Sequence, residues 1–196
     1  MLVYSFDQVS FKYTDYIIKD FSLTIKHKKI GIIGENGVGK TTLLKLMSGQ
    51  LTPQNGNISI HGDPYFVQFD LSKYHKFTPQ DMIDLCRPLK SFDCTRYLEY
   101  VRTLNLSSYM DTPIGNLSKG TAKKVALMLG FISVQPVLLI DEPFESLDQT
   151  SKENIVRLFK EEARGLVIVS HEIDFLKQSV ERIYHMKNKG LKLSEC

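Results

Sequence analysis

Apolar and polar positions divide the chain into three stretches of different rhythm. Up to about residue 70, short apolar runs predict strands at Leu2–Phe6, Phe21–Ile25, Ile30–Ile33, Asn57–Ile60 and Tyr65–Gln68. One helical run, Thr42–Met47, interrupts them, and Asn55-Gly56 reads as a hairpin-type turn ahead of the fourth strand. From about Leu71 to Phe131 helical spacing takes over, in Asp81–Arg87, in Tyr97–Leu104 and in Ala122–Ser133. In the last of these Ala122, Val125, Ala126, Leu129 and Ile132 share one face. Pro79, Pro88 and Pro113 punctuate the stretch. Strands return at Val137–Ile140 and Leu166–Val169, on either side of a helix-like run from Thr150 to Ala163. Strand, helix, strand at that spacing predicts a parallel sheet with helical crossovers. The expected fold class is α/β, with the helical middle inserted into the core.

The connection between Ile30–Ile33 and the helical run is the sequence Gly34-Glu35-Asn36-Gly37-Val38-Gly39-Lys40-Thr41, followed by Thr42. A glycine-rich loop leaving a strand and opening a helix is the context of a P-loop. Its glycines allow successive backbone N–H groups to curl around phosphate oxygens, and the helix aims its positive dipole end at the same anion. Lys40 is placed to reach the β- and γ-phosphates and the Thr41 hydroxyl to ligate Mg²⁺. This loop implies a nucleoside triphosphate site.

Val137-Leu138-Leu139-Ile140 is apolar throughout, as suits a strand buried on both faces, and it ends in Asp141-Glu142. Ligands bind at the carboxyl ends of strands in open α/β sheets. Adjacent carboxylates there repel unless a cation and a polyphosphate are nearby. With both, Asp141 can hold Mg²⁺ while Glu142 orients and polarises an attacking water. Leu117-Ser118-Lys119-Gly120-Thr121 opens the Ala122–Ser133 helix, a second anion-attracting helix start.

Composition narrows the class. The 196 residues suit one domain, and 42% hydrophobic with 24% charged residues is a globular balance. The longest apolar run, Val125–Phe131, falls far short of the roughly 20 residues that span a bilayer, and no secretory leader pattern begins the chain. A net charge of +3 without a basic block interleaved with aromatics gives no reason to expect nucleic acid; Lys26-His27-Lys28-Lys29 reads as a solvated turn. Cys86, Cys94 and Cys196 form neither a CxxC pair nor a disulfide framework, so they read as thiols of a reducing, cytosolic compartment.

Taken together, the P-loop, the Ser118–Gly120 segment and the acidic strand resemble the nucleotide-binding domain of ATP-binding-cassette (ABC) transporters. Further landmarks follow in that family's order over nearly the whole chain. Tyr13 resembles the aromatic residue that stacks on adenine, Gln68 the Q-loop glutamine, Ser146-Leu147-Asp148 the D-loop and His171 the switch histidine. The resemblance implies one ABC ATPase domain over 1–196. A P-loop core with a mostly parallel sheet and a small N-terminal antiparallel β subdomain would occupy about 1–70 and 134–196, and an inserted helical lobe about 71–133. It implies ATP and Mg²⁺ as cofactors, the metal held by Thr41, Gln68 and Asp141. Glu142, His171, Gln68 and Lys40 are the catalytic set it implies. Nucleotide contacts come from Tyr13, Gly34–Thr42 and, across to the ATP of a second subunit, Ser118 and Gly120.

It also implies partners. One is a second cassette, identical or paralogous, joined head to tail. The other is an integral membrane subunit docking beside Gln68 and the helical lobe, which would hold the chain at the inner face of the membrane. Short length and no appended regulatory domain lean towards an exporter; the alternative is a soluble cassette, for example in metal-cluster assembly. Two departures stand out. The family's usual signature has Gly and Gln where this chain has Lys119 and Thr121, so sandwiching through Ser118 and Gly120 is expected to survive with Lys119 adding positive charge. The stretch from Met47 to Gln68 is short, where the family carries a longer β-rich excursion.

Overall fold

Along Val137–Ile140 the side chains alternate, and the molecule divides at that alternation. Val137 and Leu139 enter one hydrophobic core, Leu138 and Ile140 the other. A computed structural model describes residues 4–193. The strands are β1 (Tyr4–Lys12), β2 (Tyr16–Ile25), β3 (Lys29–Ile33), β4 (Asn55–Ile60), β5 (Pro64–Phe66), β6 (Val137–Asp141), β7 (Gly165–Val169), β8 (Arg182–Lys187) and β9 (Gly190–Leu193). The α-helices are α1 (Lys40–Met47), α2 (Pro79–Cys86), α3 (Tyr97–Thr103), α4 (Lys119–Ile132), α5 (Gln149–Glu161) and α6 (Ile173–Ser179).

A six-stranded sheet runs in the order β5-β6-β7-β3-β8-β9, parallel except for the β8–β9 hairpin. A separate antiparallel sheet has the order β2-β1-β4. The expected α/β architecture, with a mostly parallel sheet and a small antiparallel one, is present. One face of the large sheet is covered by the antiparallel sheet and α1, through Tyr4, Phe6, Leu43 and Leu44 against Ile30, Ile32 and Val169. Its other face is covered by α4, α5 and α6, through Val125, Phe159 and Leu176 against Leu138 and Ile168. Burying each such side chain stabilises the fold by roughly 1.5–3 kcal/mol.

Helix boundaries follow local chemistry. Thr78 caps α2 in a reciprocal capping box with Asp81, and Pro79 supplies the preset φ of the first turn. Asp148 caps α5 by accepting from the Ser151 N–H at 2.8 Å. Three expectations are corrected. Asn55-Gly56 is no hairpin turn: both residues lie in β4, and Gly56 at φ +79 packs against the Asp7 and Gln8 carbonyls where β1 bulges. The first two strands reach past the apolar runs that announced them, because Lys12, Tyr16 and Ile18 are also paired in the ladder. The C-terminal α6, β8 and β9 were not anticipated as elements; Ile183, Tyr184 and Met186 alternate too weakly against charged neighbours to stand out. Leu2, Val3 and Cys196 lie outside the described residues. Cys86 and Cys94 are free, and burial pushes the Cys86 thiol up to about 11.

Candidate nucleotide site

Four neighbouring parallel strands deliver the site. β3 runs into the Gly34–Gly39 loop, β5 into Gln68, β6 ends at Asp141 and β7 leads into His171. Segments far apart in sequence therefore meet along one edge, the carboxyl edge of the sheet.

Asn36, Gly37, Gly39, Lys40, Thr41, Thr42, Asp141 and Glu142 line a cleft of about 300 Å³ at that edge. Lys40 is buried, and its Nζ donates to the Gly34 and Glu35 carbonyls at 2.8 and 3.0 Å, which holds it across the loop. The Val38 N–H donates to the Glu35 carbonyl at 3.4 Å and closes the turn. Gly39 at φ +108 caps α1 without any side-chain acceptor, so the first N–H groups of the helix stay available to an anion. The Thr41 hydroxyl donates to Asp141 Oδ2 at 2.5 Å. Burial pushes the Asp141 carboxyl above the usual range, the Glu142 charge adds to that, and the Thr41 hydrogen bond opposes it.

The chemistry of this donor set fits Mg²⁺. A hydroxyl and a carboxylate, both hard oxygens, already converge, and Mg²⁺ commonly takes only one or two protein ligands together with phosphate oxygens and water. Gln68 lines an adjoining cleft of about 400 Å³ together with Thr41, Asp141, Glu142 and Lys123.

Glu142 stands at φ +53, in the left-handed region that a glutamate rarely occupies. Its N–H donates to the Val169 carbonyl at 2.8 Å. Its Oε2 accepts from the His171 backbone N–H at 3.1 Å and lies 2.9 Å from His171 Nδ1. The carboxylate and the imidazole, 29 positions apart, thus form a pair at the mouth of the cleft.

Tyr13, Ser118 and Gly120 line neither cleft. Tyr13 is 61% exposed beside the β1–β2 turn, edge-on to Phe11 at 5.1 Å. Ser118 caps α4, accepting from the Thr121 N–H at 3.1 Å with its hydroxyl 2.8 Å from that of Thr121. Thr121, the second departure in the signature, thereby rigidifies the cap. Gly120 lies against the 146–147 turn, where a side chain would come within 2.7 Å of the Ser146 carbonyl. Ser118 is exposed, and it shares this outward surface with Lys119.

Sequence reasoning missed Lys123, whose Nζ donates to the Glu142 carbonyl at 2.7 Å. A lysine one turn into an amphipathic helix carries no signal that separates it from a solvated one.

The family model described as ABC transporter matches residues 18–145, which include the P-loop, Gln68, the Ser118–Gly120 segment and Asp141-Glu142. The chain belongs to the ABC transporter family. The ABC transporter ATP-binding protein ARB1 of Saccharomyces cerevisiae is 31% identical over 95% of this cassette, which spans only 32% of the yeast protein's length. The ABC transporter ATP-binding protein NatA of Bacillus subtilis is also 31% identical, over 85% of the cassette and 78% of its own length. In fold the cassette resembles the dimeric post-hydrolysis structure of the ATP-binding cassette MJ0796 bound to ADP and Pi, with a TM-score of 0.81 and 22% identity, covering 97% of each chain. By family this is an ATPase cassette. Among the described residues no helix is long and apolar enough to cross a membrane.

Proposed function

We propose that this chain is the ATP-hydrolysing subunit of an ABC transporter and that it works by clamping ATP between two cassettes. The observation that carries the reading is the convergence of Lys40, Thr41, Asp141, Glu142 and His171 along one sheet edge, within direct hydrogen-bond reach of one another at Thr41–Asp141 and Glu142–His171.

In this reading the 34–42 loop binds the polyphosphate through backbone N–H groups, and Lys40 exchanges its loop carbonyls for β- and γ-phosphate oxygens. Tyr13 stacks on the adenine. Thr41, Asp141 and Gln68 would hold Mg²⁺, which would supply charge neutralisation for the phosphates. Glu142 orients water for in-line attack on the γ-phosphorus: the new bond forms from the water oxygen, and the bond to the bridging oxygen breaks to leave ADP and phosphate. His171 fixes the Glu142 carboxylate and contacts the γ-phosphate.

In this reading a cassette cannot offer its own exposed Ser118, or the neighbouring Gly120, to its own nucleotide. They complete the site of a second subunit, so ATP stabilises the closed dimer by binding both sides of it. Splitting the polyphosphate loosens the pair and drives a membrane partner seated beside Gln68 and the helical segment 71–133, which places the chain on the cytoplasmic face of a membrane. A groove of about 630 Å³, lined by Gln68, Tyr74, Leu85 and Leu89 among others, supports that docking place. Cargo and direction belong to the partner chain, because the cassette's chemistry is the same whatever is moved.

The test is Glu142→Gln. It should bind ATP as the unaltered protein does, release phosphate at least about 100-fold more slowly and elute as an ATP-dependent dimer. Rapid turnover, or a monomer in every nucleotide condition, would refute the reading.

A further inference from the structure

Lys123 is an ammonium withdrawn from water, its side chain only 11% exposed. Lysines on helices normally carry their charge out to solvent. Here Nζ donates to the main-chain carbonyls of Glu142 at 2.7 Å and Glu145 at 3.0 Å. It also stands 3.7 Å from the Glu145 carboxylate and 5.1 Å from the Phe69 ring centre. One cation on α4 thus joins the turn after β6 to the residue that follows Gln68.

The Glu142 backbone is where this matters. At φ +53 it is strained, and Pro143 follows it. On the amino side its N–H is held by the Val169 carbonyl, and on the carboxyl side its C=O is held by Lys123. Strained backbone at a functional site persists only where its surroundings over-determine it. Burial draws the Lys123 ammonium below the usual lysine range, and the Glu145 carboxylate opposes that.

We propose that Lys123 is a positioning residue for ATP hydrolysis: it clamps the Glu142 carbonyl and so keeps the Glu142 carboxylate aimed at the attacking water. This rests on the role proposed above for Glu142. Lys123 touches no reacting atom; it acts through the main chain of the residue that does. A misplacement of about 1 Å in a catalytic group can lower a rate by about 100-fold.

The experiment compares Lys123→Met, Lys123→Arg, Glu142→Gln and the Lys123→Met/Glu142→Gln pair by steady-state phosphate release, equilibrium ATP titration and thermal melting. Methionine keeps an unbranched side chain of similar length and removes the charged donor, together with its contact to the Phe69 ring. Lys123→Met should lower kcat by about 10- to 100-fold while KM and ATP affinity stay within about twofold. Lys123→Arg, whose fork can serve both carbonyls, should recover most of the rate with ATP affinity unchanged. The double variant should be no slower than Glu142→Gln alone, since both changes disable the same group. A Lys123→Met protein with full kcat, or losses that multiply in the double variant, overturns the proposal. If Glu142→Gln itself hydrolyses at the normal rate, the role of Glu142 fails first. If Glu142→Gln is slow and Lys123→Met is fast, the Lys123 clamp alone is wrong.

Discussion

The Glu142 carboxylate is gripped twice by His171, through the backbone N–H at 3.1 Å and at the ring Nδ1, 2.9 Å away. The backbone contact survives any substitution at 171, whereas the ring contact does not. His171→Ala should therefore leave Glu142 partly oriented and lower kcat by about 10- to 100-fold, less than Glu142→Gln does. Phosphate-release assays on both variants check the ranking; a His171→Ala protein slower than Glu142→Gln would mean that the imidazole, and not the carboxylate, dominates the step.

Asp141 is a half-buried carboxylate aligned by the Thr41 hydroxyl, and burial raises its pKa in the folded state. A raised carboxylate pKa gives a contribution to stability that is present below the unfolded value and lost as pH rises through the folded one. At neutral pH the ionised Asp141 thus weakens the nucleotide-free fold. Asp141→Asn keeps an oxygen for Thr41 and removes the charge. It should melt higher than the unaltered protein at pH 7, with the difference shrinking as pH falls through the raised folded value and gone below the unfolded value of about 4. The same variant should lose the effect of Mg²⁺ on ATP binding. Melting curves from pH 3.5 to 8 without nucleotide decide the first point, and a lower melting point at pH 7 would contradict it.

Much of this site was legible because its chemistry is local. A glycine-rich loop between a strand and a helix, and two carboxylates closing an apolar strand, are patterns of adjacent residues: Gly34–Thr41 and Val137–Glu142 show them without any tertiary information. Lys123 was not legible, since its importance depends on which carbonyls a distant turn brings within reach. The antiparallel β1–β2–β4 sheet was seen only as fragments, because Lys12, Tyr16 and Asn55 pair through backbone groups that a hydrophobic pattern does not record. The β8–β9 hairpin was missed for a related reason. Its turn residues Asn188 and Lys189 adopt positive φ without a glycine at either position, so the usual turn signal is absent.

Arg164 secures the far end of the sheet from the nucleotide. Its guanidinium donates to the Phe131 carbonyl at 3.0 Å, to the Ser133 carbonyl and to Glu162 Oε2 at 2.7 Å, tying the C-terminus of α4 to the turn before β7. Burial alone would push Glu162 up, but hydrogen bonds from Arg164 and its charge hold it below the usual range. A depressed carboxylate pKa stabilises above the unfolded value and loses that contribution as pH falls through the folded one. Arg164→Met should cost about 3 kcal/mol at pH 7, because it leaves the enclosed Glu162 carboxylate with backbone N–H donors but no countercharge. Urea unfolding gives the figure. Adding Glu162→Gln should restore part of the loss, and a double variant less stable than Arg164→Met would show that the pair is not the cause.

Two positive-φ glycines bracket α1, and they separate backbone strain from phosphate binding. Gly39 at φ +108 opens the helix with Ile17 and Met186 closing on the place a Cβ would take; Gly49 at φ +73 follows the helix with nothing within 4 Å of that place. Alanine at either position meets a conformation that costs about 1 kcal/mol or more. Only at Gly39 does it also collide with the β2 side chain and displace the loop whose N–H groups face the cleft. Gly49→Ala should lower the melting point slightly and leave ATP affinity unchanged. Gly39→Ala should weaken ATP binding by about tenfold or more, since losing even one charge-assisted hydrogen bond of about 1.5–3 kcal/mol suffices for that. Equilibrium titration of both variants with ATP and Mg²⁺ makes the comparison. Equal losses of affinity would place the effect in the stability of α1 as a whole, and the cradle formed by the 34–42 loop would no longer account for binding.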